Sequence, residues 1–346
     1  MMTSRRTAAP LQTLAGKRGA SAGAPVTICA MIALGALLML VTNVAVARAW
    51  PAKPVRMIVP YPPGGVADIT ARIYLPRLSD AWSQSVLIDN RPGANGGIGA
   101  ELAAKSAPDG YTLLMATAGE TTINPSVYAK LGYDPLRDFA PISLASHNPV
   151  VLVANAATPY RTLADLLVAA NAKPGVLAYG TPGTGSIHHL SMELFRMIGG
   201  PALIHVPYKG GAPATAAVVG GETPLAAVAL APALPHVRTG KLRALALAAP
   251  KRSSLAADTP TFVELGFMIE ASNWVGLLAP ARTSQSIITR VNQDMVRVAQ
   301  GADVRDRFAM VGSEAASSTP GEFSALIRRE LAKFAKVVKA ANVVID

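Results

Sequence analysis

From residue 50 to residue 346, short runs of aliphatic and β-branched residues alternate with stretches whose apolar residues recur at helical spacing. Such alternation builds layers of helices on sheets and disfavours an all-β or all-helical fold. The strands expected are Val55–Val59, Ser85–Asp89, Thr112–Ala116, Val150–Ala154, Leu177–Tyr179, Leu203–Val206, Leu242–Ala248 and Val275–Ala279. Helices are expected over Ala67–Trp82, Ile98–Lys105, Leu163–Ala172, Ser186–Ile198 and a long stretch at the C-terminal end. That last helix is the best marked. Thr319-Pro320-Gly321-Glu322 supplies an N-cap, a proline at N1 and a glutamate at N3, and Phe323, Leu326, Ile327, Phe334, Val337 and Val338 continue one apolar stripe interrupted at Glu330. With 51% hydrophobic and 15% charged residues the chain folds, and its 346 residues suit two domains. No fixed-period repeat or low-complexity linker divides it.

The first 49 residues read differently, as an address. They hold Arg5, Arg6, Lys17, Arg18 and Arg48 and no acid, around an uncharged stretch from Gly19 to Ala47. Its most apolar core, Ile28 to Val41, is shorter than the roughly 20 residues a membrane span needs. Ala47-Arg48-Ala49 has the small-x-small pattern of a signal-peptidase site, so a cleavable secretory signal is expected over 1–49, with an exported mature chain starting near Trp50. An uncleaved anchor is the alternative. Cys29, the sole cysteine, lies inside this segment, which leaves the mature chain without disulfides, thiol nucleophiles or thiolate metal sites. Setting the five N-terminal bases aside leaves 27 Lys and Arg against 21 Asp and Glu. That modest surplus, with only 5% aromatics, lacks the stacking platforms of a nucleic-acid surface and fits a small anionic ligand better.

Two glycine-rich turns have the form of anion cradles. Pro60-Tyr61-Pro62-Pro63-Gly64-Gly65 follows the first strand and precedes a helix, where glycines let backbone N–H groups approach a ligand and the helix dipole favours negative charge. Asp68, in the first helical turn, either touches the ligand or complements the dipole. Gly180-Thr181-Pro182-Gly183-Thr184-Gly185-Ser186 repeats the arrangement, but Ser186 stands where a nucleotide-binding P-loop requires lysine, so a carboxylate is the better match. A third cluster, Gly93 to Gly99, has Leu102 at the last position of the dinucleotide fingerprint and reads as a turn before a helix.

Other constellations fall short of a chemistry. His188, His189 and Glu193 give too few ligands for zinc, and no serine sits in a nucleophile elbow. His205 and Tyr208-Lys209-Gly210-Gly211 present either a phenol and a cation to a cleft or a surface turn, and Trp274 either walls a pocket or, as is commoner for an isolated Trp, fills a core.

Ordered landmarks then span essentially the whole mature chain: Pro54-Val55-Arg56; Tyr61 to Gly65 with Asp68 and Arg72; Asn90-Arg91-Pro92-Gly93-Ala94; Pro108-Asp109-Gly110-Tyr111-Thr112; Asn124-Pro125; Tyr133-Asp134-Pro135; Asp138 to Pro141; Gly183, Gly185-Ser186 and His189-Leu190; His205 to Gly210; Gly240 to Leu245; and Trp274. With them the chain resembles the periplasmic substrate-binding receptors of tripartite tricarboxylate transporters, the Bug family. The resemblance implies an α/β, two-lobed clamshell of the type II periplasmic-binding-protein kind, with lobe 1 from 50–151 and 276–346, lobe 2 from 152–275, and hinge strands near Val150–Ala154 and Trp274–Ala279. It also implies a carboxylate ligand held by Tyr61, Pro63, Gly64, Gly65, Asp68, Thr117 and Gly119 on one lobe and Thr181, Gly183, Gly185, Ser186, His189 and Tyr208 on the other.

Such a receptor works as a monomer, without cofactor, metal or catalysis, and hands its ligand to the membrane components of a transporter or docks on a sensor kinase. An exported enzyme on the same scaffold is a further alternative. Ala217 and Pro224 stand where the family usually has aspartates, and Glu120 lies in a loop that more often carries small polar residues. Facing the cleft, Glu120 would repel a carboxylate or pair with a ligand amine. Among amino acids, di- and tricarboxylates, aromatic acids and neutral molecules the sequence does not choose.

Overall fold

The computed structural model describes residues 50–269 and 271–343, so the expected signal lies outside the described residues. Two sheets organise the chain. The first has six strands in the order β11-β4-β10-β3-β1-β2: β1 Val55–Val59, β2 Val86–Asn90, β3 Thr112–Thr117, β4 Phe139–His147, β10 Val275–Pro280 and β11 Glu314–Ala315. The second has five in the order β7-β6-β8-β5-β9: β5 Val150–Asn155, β6 Ala178–Thr181, β7 Ile204–Pro207, β8 Leu225–Ala229 and β9 Leu242–Leu247. β1 runs parallel to β2 and β3, and β6 to β7 and β8, whereas β10 and β5 run antiparallel to their neighbours.

Both sheets are covered on both faces, and the two-residue period of a strand decides which side chain goes where. Val55, Met57 and Val59 of β1 join one core with Leu113 and Met115 of β3 and Val275, Leu277 and Ala279 of β10. The intervening Ile58, Leu114, Ala116 and Leu278 face the opposite core. In the second sheet Val150, Leu152, Leu225 and Ala227 share one core while Val151, Val153, Ala226 and Val228 share the other.

The helices are α1 Val66–Trp82, α2 Gly97–Ala104, α3 Asn124–Val127, α4 Leu163–Ala172, α5 Ile187–Met197, α6 Gly211–Gly220, α7 Leu230–Arg238, α8 Gln285–Ala299, α9 Ala302–Met310 and α10 Pro320–Ala341. α10 starts with the expected capping box, Thr319 and Glu322 satisfying each other's backbone N–H groups. Its stripe then serves both lobes. Phe323 and Ile327 belong to a core of the first sheet, and Phe334, Val337 and Val338 to the core that holds Leu163, Tyr179, Leu190 and Phe195 of the second. The C-terminal half of α10, expected with the first lobe, thus packs in a core shared with residues of the second sheet.

The two expected hinge strands lie in one sheet each, β5 in the second and β10 in the first, and the chain passes between the sheets just before each of them. The crossing is made by the short step Asn148–Pro149, paired with Ser272 and Asn273 on the return. The buried Asn148 side chain ties this junction together, donating to Asn273 O at 2.9 Å and Ser146 Oγ at 3.1 Å and accepting from Ser313 Oγ at 2.6 Å.

Candidate functional site

The turn after β1 is built around one buried carboxylate. Gly64 takes φ +82, which a side chain would resist, and Gly65 caps α1 with no side-chain hydrogen bond, so first-turn N–H groups of α1 are left for solvent or an anion. Asp68 is 1% exposed and accepts from Gly64 N at 2.9 Å, Arg72 Nε at 2.8 Å and Asn90 Nδ2 at 3.0 Å. Burial pushes its pKa up, but the bonds from Arg72, the Gly64 N–H and Asn90 together outweigh it and hold the carboxyl below its ordinary value. Asn90 Nδ2 also donates to Tyr61 O at 3.0 Å. Asp68 thus fixes the turn from behind, while Pro63 and Gly64 lie exposed at its tip.

Tyr61 reaches inward from this turn. Its hydroxyl lies 3.0 Å from Glu120 Oε2, 3.2 Å from Thr117 Oγ1 and 3.2 Å from Asn95 O. Thr117 Oγ1 donates to Glu120 Oε2 at 2.6 Å and accepts from Gly119 N at 3.1 Å, and Thr117 N donates to Glu120 Oε1. Glu120 belongs to a single π turn, Gly119–Ile123, of the kind that re-aims side chains at functional sites. It is fully buried behind Tyr61, so it does not face the cleft as one reading of the sequence supposed. Gly119 is required here: a Cβ would lie 2.6 Å from the Tyr61 hydroxyl.

In the second lobe the turn between β6 and α5 is held by its own side chains. Ser186 caps α5 by accepting from His189 N at 3.3 Å and donates to Gly183 O at 2.7 Å. Gly185, at φ +73, donates its N–H to His189 Nδ1 at 3.2 Å, which assigns the ring hydrogen of a neutral His189 to Nε2. His189 stacks on His205 with centroids 3.8 Å apart, and His205 Nε2 meets Thr181 Oγ1 at 2.7 Å. Burial lowers both imidazole pKa values to about 4, so the stack is uncharged at neutral pH. Tyr208 turns its hydroxyl to Glu222 at 2.9 Å and lays its ring where a Cβ on Gly180 would otherwise fall.

Each cradle follows the C-terminal end of a parallel strand, the usual place for ligands in α/β sheets. Ile123, ending the π turn, and Ile187, beginning α5, belong to the same extended apolar cluster. Among the described residues no group of three or more His, Cys, Asp or Glu side chains could hold a metal.

Residues 70–343 match the family described as the tripartite tricarboxylate transporter family receptor. The chain belongs to that family. It is 36% identical to the protein BugT of Bordetella pertussis over 85% of this chain and 90% of that protein. Solved relatives include an R. palustris protein with adipate, 33% identical with a TM-score of 0.78, covering 85% of this chain and 99% of that one. MatC of Rhodopseudomonas palustris with bound malate is 29% identical with a TM-score of 0.74, over 84% and 100% of the two chains. The periplasmic receptors in this group share the two-sheet fold, and no helix among the described residues is long and apolar enough to cross a membrane.

For a tripartite tricarboxylate transporter family receptor, the turns were visible in sequence but their fastenings were not. Asn124 and His205 stand among the landmarks of the resemblance without a role, and Asn95 only in a glycine-rich turn; the Asn95–Asn124 bonds under Tyr61 and the His189–His205 stack join segments far apart in the chain.

Proposed function

We propose that the protein is an extracytoplasmic receptor that closes its two lobes around a small carboxylate and delivers it to the membrane components of a tripartite tricarboxylate transporter. The observation that carries this reading is the start of α1: a helix N-terminus with no side-chain cap, behind two glycines, with Asp68, the carboxylate of its own first turn, already bonded by Gly64, Arg72 and Asn90. A ligand carboxylate there gains backbone hydrogen bonds and the helix dipole without meeting a free negative charge. The adipate and malate of the solved relatives support the ligand class. The turn at 181–186 supplies the opposing wall, with Thr181, Gly183, Gly185, Ser186 and His189 on it. Closure pivots at Asn148–Pro149 and Ser272–Asn273, and the differential contact of ligand with both walls drives it. Binding energy then serves recognition, not bond making. Residues 1–49 serve export of this receptor to the periplasm, where it acts as a monomer.

A thermal-shift screen of the purified protein against mono-, di- and tricarboxylates, amino acids and aromatic acids tests this. A ligand at 100 times its Kd stabilises the folded state by about 2.7 kcal/mol, a visible rise in Tm. One carboxylate class is expected to shift the midpoint, and an unmoved midpoint with every carboxylate would overturn the assignment.

A further inference from the structure

Glu120 is a glutamate that nothing in the carboxylate-binding account uses, yet it is wired to the first cradle. We infer that Glu120 is a proton site of the receptor, and that capture of an anion in the adjoining cradle is accompanied by uptake of a proton there. The coupling rests on the carboxylate-receptor reading, whereas the proton site stands on the geometry alone.

The side chain is fully buried, and among the described residues no lysine, arginine or histidine pairs with it. Its partners are hydroxyls and one backbone N–H, and they can serve either protonation state without any heavy atom moving. With the carboxylate ionised, Thr117 N, Thr117 Oγ1 and Tyr61 Oη all donate to it. With the carboxyl protonated, its hydrogen points to Thr117 Oγ1 at 2.6 Å, the threonine hydrogen to Tyr61 Oη at 3.2 Å, and the tyrosine hydrogen to Asn95 O at 3.2 Å. Glu120 is thus joined to two hydroxyls in series, those of Thr117 and of the cradle residue Tyr61.

Burial raises the Glu120 pKa to about 7 against the opposing pull of the Thr117 and Tyr61 hydrogen bonds, so the two states are balanced near neutral pH. The titratable and charged groups around it do not upset that balance. Tyr61 and Tyr133 stay protonated, their pKa values pushed well up, chiefly by burial, and Tyr133 Oη donates to Glu120 O at 2.6 Å. Asp68 is paired with Arg72, Glu101 with Lys105, and Glu330, on the helix that packs against the π turn, with Lys333. At an effective dielectric of about 20, a negative charge added at a separation of about 10 Å would raise a carboxyl pKa by roughly one unit, and a more distant one by less. Anion capture at the start of α1 therefore favours the protonated form, and by linkage protonation favours capture.

The site is read first without any ligand, by following the glutamate side-chain carboxyl resonances of 13C-labelled protein against pH. One resonance with a midpoint near 7, missing in Glu120→Gln, is the expected result; every glutamate titrating below about 5.5 would overturn the proton site. The coupling is read by calorimetric titration with adipate from pH 8 to pH 6 in two buffers of different ionisation enthalpy. Net proton uptake is expected, with affinity rising several-fold and by no more than about tenfold across that range, and both vanish in Glu120→Gln. A pH dependence identical in the two proteins would overturn the coupling. A resonance titrating near 7 with no heat from adipate, malate or any other carboxylate would sink the receptor reading and the coupling together while leaving the proton site standing.

Discussion

Ser186 and His188 are neighbours with opposite energetics. The Ser186 hydroxyl is fully employed, capping α5 through His189 N and bonding Gly183 O, so Ser186→Ala removes an N-cap and loosens the turn proposed as the second wall. A loss of about 1 kcal/mol in urea unfolding is expected, together with weaker carboxylate capture. His188 is 6% exposed and neither of its ring nitrogens has a partner. Burial lowers its pKa to about 4 from the ordinary 6.5. Between those two values the unfolded chain binds a proton that the folded one refuses, so stability falls as pH drops from about 6.5 to 4, by at most about 3 kcal/mol for this ring. Denaturant midpoints at pH 7 and pH 4.5 should show that decline, and His188→Leu should flatten part of it; an unchanged slope would mean the ring finds a partner that compensates its burial. The same scale explains what the sequence hid at the site. A glycine turn between a strand and a helix is visible in one stretch of chain, but Tyr61 meeting Glu120, or His189 meeting His205, depends on strands being brought side by side.

Among the elements, α10 is the one whose role the pattern understated. Its stripe was plain, and so was its capping box, but an apolar stripe does not say which surfaces it will cover. Phe334 is fully buried in the second-sheet core although most of the helix's earlier contacts are to the first. Phe334→Ala should cost about 3 to 5 kcal/mol and should lower hydrogen-exchange protection in α4 and α5 more than in α1. Equal loss in both lobes would show that the helix is anchored by the first lobe alone. The elements that escaped sequence reading did so for specific reasons. β4 carries Pro141, which argues against a strand interior, and the structure accommodates it at an irregularity in the pairing with β10. α6 runs Gly-Ala-Pro-Ala-Thr-Ala-Ala-Val-Val-Gly, too small and too uniformly apolar to show a period, and α7 contains Pro235. β8 is five apolar residues with no alternation, because both its faces are buried. α8 was legible, with Ile288, Val291, Met295 and Val298 on one face, and reading it would have completed the first lobe's helical layer.

At the scale of the whole molecule, two sheets of similar build each offer one strand–turn–helix cradle, and they are joined by a two-stranded junction and one shared helix. In the proposed receptor the junction is where closure would bend, and α10, packed on both cores, would have to accommodate it. The most direct test is a crystal structure of the protein with the dicarboxylate that gives the largest thermal shift. The account predicts one carboxylate of that ligand within hydrogen-bonding distance of the first-turn N–H groups of α1, with the 181–186 turn closed over it. A ligand held by one lobe only, or seated away from both turns, would contradict it.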